Sequence, residues 1–364
     1  MSRGSFSSSY VEAREQFLAA AGSCGATIRS HQAPGRGPQG EALHMDIAVI
    51  GDPAAAKRLV ISSGLHGVEG FCGSACQAGL MRSGATVASL PENIALVLVH
   101  ALNPFGFAWV RRFNEDNVDL NRNFLEDFSD PPANGLYNGV HEALAASPID
   151  AAVWAASREA LARFRETRGE TDYLEAVTGG QYTHPHGLFY GGAAPCWTNL
   201  TYVAALRDLL AGAAVAVLFD IHTGIGAYGE RVAFCQTRED DPRKAVAERL
   251  LAETVRTPAR SSRGARARRG LMLPYVDGLK LAPFVLPLGV EFGTYPLVQT
   301  IEAIRAENWL FHHGERSSAA GRRIVAALRE AFCPTDADWE VMVRQKSAEM
   351  FRTLLAGLRE LQPV

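Results

Sequence analysis

Residues 61–76 read ISSGLHGVEGFCGSAC, and this stretch decides the fold. It begins as the end of an apolar strand, Arg58-Leu59-Val60-Ile61, and turns through Ser62, Ser63 and Gly64. It then presents His66 and Glu69 and enters a helical pattern. An imidazole and a carboxylate three residues apart, on a turn at the carboxyl end of a strand, can reach one cation together. In open α/β sheets ligands bind at that edge. Nitrogen plus carboxylate oxygen is a donor set that suits zinc. Alone, H-x-x-E reads equally well as a turn-capping histidine followed by a first-turn helix acid. The other strand ends decide between the two.

Working outward, residues 57–63 form a continuous apolar strand, 68–82 a helix and 93–102 (NIALVLVHAL) a second buried strand. Runs without alternation suit strands covered on both faces. Strand, helix, strand in this order predicts a parallel βαβ unit with a right-handed crossover. Upstream, residues 7–21 read as a helix. Strands at 26–30 and 44–51 are separated by the Pro/Gly-rich turn APGRGPQGE. Downstream, 141–178 is largely helical, 214–221 (AVAVLFDI) is a buried strand, and strand 231–236 and helix 241–255 follow. Strand 284–291 (FVLPLGVE) comes next, and 297–361 reads as helices. The expected fold class is α/β: a single-domain α/β/α sandwich over residues 1–364 with a mixed, mainly parallel central sheet. The motif-bearing core spans about 44–312, and residues 313–361 form a helical C-terminal part.

The 364 residues are 47% hydrophobic and 21% charged, with a formal charge of −3. This is ordinary soluble globular material with enough apolar content for a large core. The charge balance gives no reason to expect nucleic acid or a membrane as partner, and no apolar run reaches transmembrane length. The first residues lack the basic-then-apolar order of a signal peptide. Six scattered cysteines (24, 72, 76, 196, 235, 333) without a C-x-x-C pair point to reduced thiols and a cytoplasmic location.

Three further segments carry chemistry. Residues 103–124, NPFGFAWVRRFNEDNVDLNRNF, hold Arg111, Arg112, Asn114, Asp119, Asn121 and Arg122. Guanidinium forks beside amides bind carboxylates well, because paired donors match two oxygens. Val118 and Leu120 alternate with Asp119 and Asn121, which predicts a short extended piece with its polar face aimed at a site. A second histidine, His222, ends the strand at 214–221, and Glu291 ends the strand at 284–291. In GGQYTHPHGLFYGG, His184 and His186 flank Pro185 in a Gly- and Tyr-rich context that favours a structured substrate loop over a metal chelate. The run from 256 to 269 carries six arginines and no acid, the pattern of a solvated loop. Were it to border the site, its field would favour substrates with an extra acidic group. Three strand ends thus carry His66/Glu69, His222 and Glu291. Three protein ligands with one open position is the arrangement of a catalytic zinc site, and a spare carboxylate can serve as base.

With these motifs the sequence resembles the zinc carboxypeptidase superfamily. The matching residues are His66-Gly67-Val68-Glu69, Asn103-Pro104-Phe105-Gly106, Val118-Asp119-Leu120-Asn121-Arg122-Asn123-Phe124, His222 and Glu291, in that order across about 60–300. QYTHPHGLFYGG and VEFGTYP resemble an uncharacterised bacterial branch. The resemblance implies His66, Glu69 and His222 as ligands of one Zn2+ per chain and Glu291 as general base. It also implies Arg112 as oxyanion stabiliser, Asn121 and Arg122 as the grip on a substrate carboxylate, and Asp119 as the residue orienting His66. Adjacent Arg111 leaves the choice of arginine to spacing, and Tyr275 is the one candidate for a substrate-capping tyrosine. The helical C-terminus departs from the added β-rich domain of aspartoacylase-like deacylases.

The expected activity is zinc-dependent hydrolysis of an amide bond next to a free carboxylate, in a peptide or an N-acyl amino acid. A catalytically silent, zinc- or ligand-binding relative is the alternative. A serine hydrolase is disfavoured by the lack of a G-x-S-x-G elbow. Oligomeric state is left open.

Overall fold

The computed structural model describes residues 6–84, 90–257 and 270–361. The strands are β1 (Thr27–Arg36), β2 (Ala42–Ile50), β3 (Lys57–Ser63), β4 (Ile94–His100), β5 (Val215–Gly224), β6 (Arg231–Cys235) and β7 (Phe284–Gly293). They form one sheet in the order β1-β2-β4-β3-β5-β7-β6. The central four, β4-β3-β5-β7, are parallel, and β1, β2 and β6 join antiparallel. This is the mixed, mainly parallel sheet expected from the strand patterns. Among the described residues no helix is long and apolar enough to cross a membrane.

The helices used below are α1 (Tyr10–Ser23), α2 (Gly70–Arg82), α3 (Pro104–Ala108), α4 (Ala151–Arg168), α5 (Glu170–Thr178), α6 (Trp197–Leu210), α7 (Arg243–Leu251), α8 (Met272–Gly278), α9 (Leu297–His313), α10 (Ala319–Phe332) and α11 (Ala337–Glu360). Successive strand residues point to opposite faces, and both faces are apolar. Leu59, Ile61, Leu96, Leu98, Val217 and Phe219 pack with α1, α2, α7 and α11. Val60, Val97, Val99, Ala216 and Leu218 pack with α6 and α8. A third cluster, including Val68, Phe113, Phe189, Ile301, Ile304 and Phe332, gathers residues from α5, α9 and α10 around the turn after β3.

All seven residues of β3 are buried, although the strand begins with two cations. Their placement explains how. Lys57 Nζ donates to the carbonyls of Leu358 (3.0 Å) and Arg359 (2.9 Å) at the end of α11. On the opposite face Arg58 donates to Ala211 O (2.9 Å) beyond the end of α6. Each cation meets the negative end of a helix dipole. The central strand is thereby fixed between both helical layers.

The turn that follows demands glycine. Gly64 has φ +67°, and a Cβ there would lie 2.8 Å from that of Ala101. Gly67 sits against backbone: its N–H donates to Arg112 O (3.2 Å), and the next N–H, of Val68, to Arg111 O (2.8 Å). A Cβ at Gly67 would fall 2.0 Å from Gly106 C and 2.3 Å from Phe107 N. The His66–Glu69 turn is therefore clamped to α3 and to the arginine segment. Gly67→Ala is expected to lower the unfolding free energy by about 1–3 kcal/mol, the usual cost of overpacking, in urea-melt measurements. Unchanged stability would mean that the 104–112 segment yields freely.

Candidate metal centre

Two neighbouring parallel strands bring the histidines together. β3 and β5 pair with Ser63 opposite Ile221, so the turn after β3 and the end of β5 lie side by side. Glu69 bridges them: its Oε1 lies 2.8 Å from His66 Nδ1 and its Oε2 2.9 Å from His222 Nδ1. One donor atom from each of the three lies within 4.8 Å of the others, and all three residues are buried. Two imidazole nitrogens and one carboxylate oxygen so close together could hold a metal ion, and this donor set suits zinc. Burial opposes the Glu69 charge, but the His66 and His222 imidazoles hold its carboxyl well below the usual range.

Each histidine is backed by a carboxylate on its other nitrogen. His66 Nε2 is 3.4 Å from Asp119 Oδ1. His222 Nε2 is 2.6 Å from Asp220 Oδ2, a partner that sequence reasoning missed. The signal was present, since residues two apart on a strand share a face. Asp220 is fully buried and accepts from Ser62 Oγ at 2.6 Å. Burial works against a charged His222, yet Asp220 and Glu69 override it and raise its pKa well above the ordinary value. A metal must displace that proton, so binding releases protons and weakens in acid.

Glu291 stands beside this group because β5 and β7 pair with His222 opposite Glu291. Its Oε2 accepts from Ile225 N at 3.3 Å. Burial, reinforced by the Glu69 charge and opposed by His222, pushes its carboxyl up to about 7.

The structure separates the two arginines. Arg111 is fully buried, donating to Glu307 (2.8 Å) and Asn117 (2.9 Å) with its guanidinium over the Phe311 ring. Arg112 faces the metal group: Nε donates to Asp119 Oδ2 (3.1 Å), and Nη2 lies 2.7 Å from His66 Nε2. Were Nδ1 to hold a metal, a proton on Nε2 would be donated to Asp119. Arg112 Nη2, a donor only, would then have to leave Nε2. Asp119 itself is held well below the usual carboxylate range; burial opposes this, and the Arg112 and His66 charges outweigh it.

Asn121 and Arg122 line the same cleft. Contrary to the expected extended piece, residues Leu120–Arg122 form a 3-10 turn, because Asp119 accepts from Asn121 N (2.9 Å) and caps it. Asn121 Oδ1 accepts from Met272 N (3.0 Å), and Arg122 is anchored on the Asn121 (2.7 Å) and Thr178 (2.6 Å) carbonyls. His184 and His186 are not among the cleft-lining residues; they stack on His141 (3.8 Å) and His312 (4.5 Å). From that loop only Phe189 reaches the cleft, which no described tyrosine lines. Tyr275 packs on Phe124 instead. Of the arginine run, Arg256 lines the cleft, and 258–269 lie outside the described residues. The cavity is about 300 Å3, at the small end for ligand sites.

The fold is similar to that of a solved carboxypeptidase. A candidate carboxypeptidase from Burkholderia mallei superposes over 96% of this chain and 67% of its own, with TM-score 0.50 and 14% identity. Carboxypeptidase A from Helicoverpa armigera aligns over 94% and 73%, with TM-score 0.47 and 14% identity. At this identity the likeness is one of fold. No curated protein matches in sequence. The chain belongs to the family described as protein of unknown function (DUF2817), whose model matches residues 6–346.

With a carboxylate oxygen 2.6 Å from His222 Nε2, Asp220→Asn is expected to weaken zinc binding about 10–100-fold, measured by chelator competition. Unchanged affinity would reduce Asp220 to a proton holder of the metal-free protein.

Proposed function

We propose that the protein is a zinc-dependent hydrolase of an amide bond adjacent to a free carboxylate. The observation that carries this reading is the convergence of His66, Glu69 and His222 beside a carboxylate, Glu291, whose pKa lies near neutrality. His66, Glu69 and His222 would hold the metal through two nitrogens and an oxygen. When bound, zinc supplies Lewis acidity towards a carbonyl oxygen and lowers the pKa of water.

The chain's own residues do the rest. Arg122, anchored on two carbonyls at the cleft wall, and Asn121 beside it take the substrate carboxylate as a fixed charge and an amide. This sets the scissile carbonyl against Glu291. Glu291 accepts a proton from the attacking water and delivers it to the leaving amine, the role of a base poised near the working pH. Arg112, freed from His66 Nε2, places its guanidinium where negative charge grows on the carbonyl oxygen. Asp119 and Asp220 hold the two imidazoles in the tautomer that leaves each Nδ1 free to ligate.

Two measurements test the roles. His222→Ala is expected to lose most bound zinc while remaining folded, by metal analysis and circular dichroism; full retention of zinc removes His222 from the site. Glu291→Gln keeps the shape without the proton acceptor. It is expected to retain zinc and lose at least ~10²-fold in kcat/KM.

The pH profile adds a third test. A base works only when ionised, so kcat/KM rises with pH through the Glu291 pKa. That pKa is about 7 without metal, and a bound cation draws it lower. An acid limb centred at or below neutrality, absent from the residual activity of Glu291→Gln, is the expected outcome. An unchanged limb in that variant assigns the proton transfer to another group.

A further inference from the structure

Among the described residues six large apolar side chains are exposed: Leu200, Ile225, Tyr228, Leu297, Val298 and Val341. Single exposed apolar residues are ordinary on any surface. Here four of the six fall in the two segments that follow His222 and Glu291. Ile225 and Leu297 line the cleft itself, Val298 adjoins Leu297, and the Tyr228 ring rests 5.6 Å from that of Tyr295. Deeper in the cleft this surface continues as Phe189, Ile301, Ile304 and Phe332, all from one buried cluster. An apolar wall therefore runs from the metal group out to the solvent.

The wall has little to offer a peptide. Its hydroxyls are already used: Thr300 Oγ1 donates to Leu297 O (2.9 Å), Thr223 Oγ1 to Phe332 O (2.6 Å), and the Tyr228 and Tyr295 hydroxyls to Asp336 (3.1 Å) and Glu330 (2.6 Å). A peptide laid here would leave N–H and C=O groups desolvated and unpaired, which costs more than the contact returns. A methylene chain has no such groups to lose. Phe189 shares the connection after β4 with the polar grip and lies under the Arg112 guanidinium, 5.1 Å away; topology sets the rest of the wall apart. Arg112, Asn121 and Arg122 follow β4, the wall segments follow β5 and β7, and the His66–Glu69 turn after β3 lies between.

We propose that the substrates are N-acyl amino acids with an extended aliphatic acyl chain. The chain lies along the Ile225–Leu297–Ile301–Phe332 wall, and the amino-acid carboxylate sits on the Asn121/Arg122 side. This rests on the hydrolase reading above and chooses between its two substrate classes. In the reaction the acyl C–N bond breaks and the oxygen of water bonds to the acyl carbon. A proton passes to the leaving nitrogen, giving a fatty carboxylate and a free amino acid with no redox partner.

The test is calorimetric binding of N-acetyl-, N-hexanoyl- and N-decanoyl-alanine and of acetyl-Ala-Ala-Ala to zinc-loaded Glu291→Gln, with turnover of the same compounds by the zinc-loaded native protein. Affinity is expected to rise about two- to fourfold per added methylene while the wall covers the chain. The hexanoyl compound should bind more tightly than the tripeptide. Leu297→Ser combined with Val298→Ser, in the same background, should lower the decanoyl-to-acetyl affinity ratio. Affinity independent of chain length, or tighter binding of the tripeptide, overturns the proposal even if the native protein hydrolyses amides. Chain-length-dependent binding without any turnover supports the acyl site and sinks the hydrolase reading instead. A dimer that the double substitution dissolves assigns the rim to a second copy and also overturns the proposal.

Discussion

The interaction on which this structure depends is the sharing of one buried carboxylate between two imidazoles. Glu69 is 2% exposed. A carboxylate removed from water in this way costs several kcal/mol unless partners of opposite charge or hydrogen-bond donors replace the solvent. The partners are His66, three residues earlier, and His222, more than 150 residues later. They meet only because β3 and β5 are parallel neighbours in a fixed register. A slip of one residue would send His222 to the opposite face of the sheet. Much of the surrounding construction holds that register: Lys57 and Arg58 at the start of β3, Gly67 pressed on α3, and Asp119 and Asp220 behind the rings. A cation at the centre would take over the task of holding the three donors together.

The same strand order gives the cleft two unlike halves. Residues following β4 supply the guanidinium and amide groups of Arg112, Asn121 and Arg122 together with the Phe189 ring, whereas residues following β5 and β7 supply aliphatic and aromatic surface. Glu291, on β7, belongs to the second half. Its position opposite His222 follows from strand pairing, and its raised pKa from the burial that the pairing imposes. Geometry and acidity at this residue thus have one structural origin.

The central strands were legible in the sequence because a strand covered on both faces must be continuously apolar, and few other elements are. The meeting of His66, Glu69 and His222 was expected from the rule that ligands gather at strand carboxyl ends, whereas the strand order came only with the structure. What the sequence concealed is tertiary. β1 runs on to Arg36 through Pro34, beyond the expected end at residue 30, because an edge strand tolerates a missing donor and an irregular register. Residues 118–121 alternate like a strand, but the Asp119 side chain competes for the Asn121 N–H and closes a turn. Arg111 and Arg112 are equivalent in any local pattern; only Glu307 and Phe311, nearly 200 residues away, distinguish the structural arginine from the one facing the site. Asp220 was readable from its two-residue spacing to His222, a signal weaker than the histidine beside it.

The central claim is that His66, Glu69 and His222 together hold zinc, and X-ray absorption at the zinc edge of the loaded protein tests it most directly. The account predicts a first shell of two imidazoles and carboxylate or water oxygens at about 2.0–2.2 Å, without sulfur. A shell containing sulfur, or fewer than two imidazoles, would contradict it.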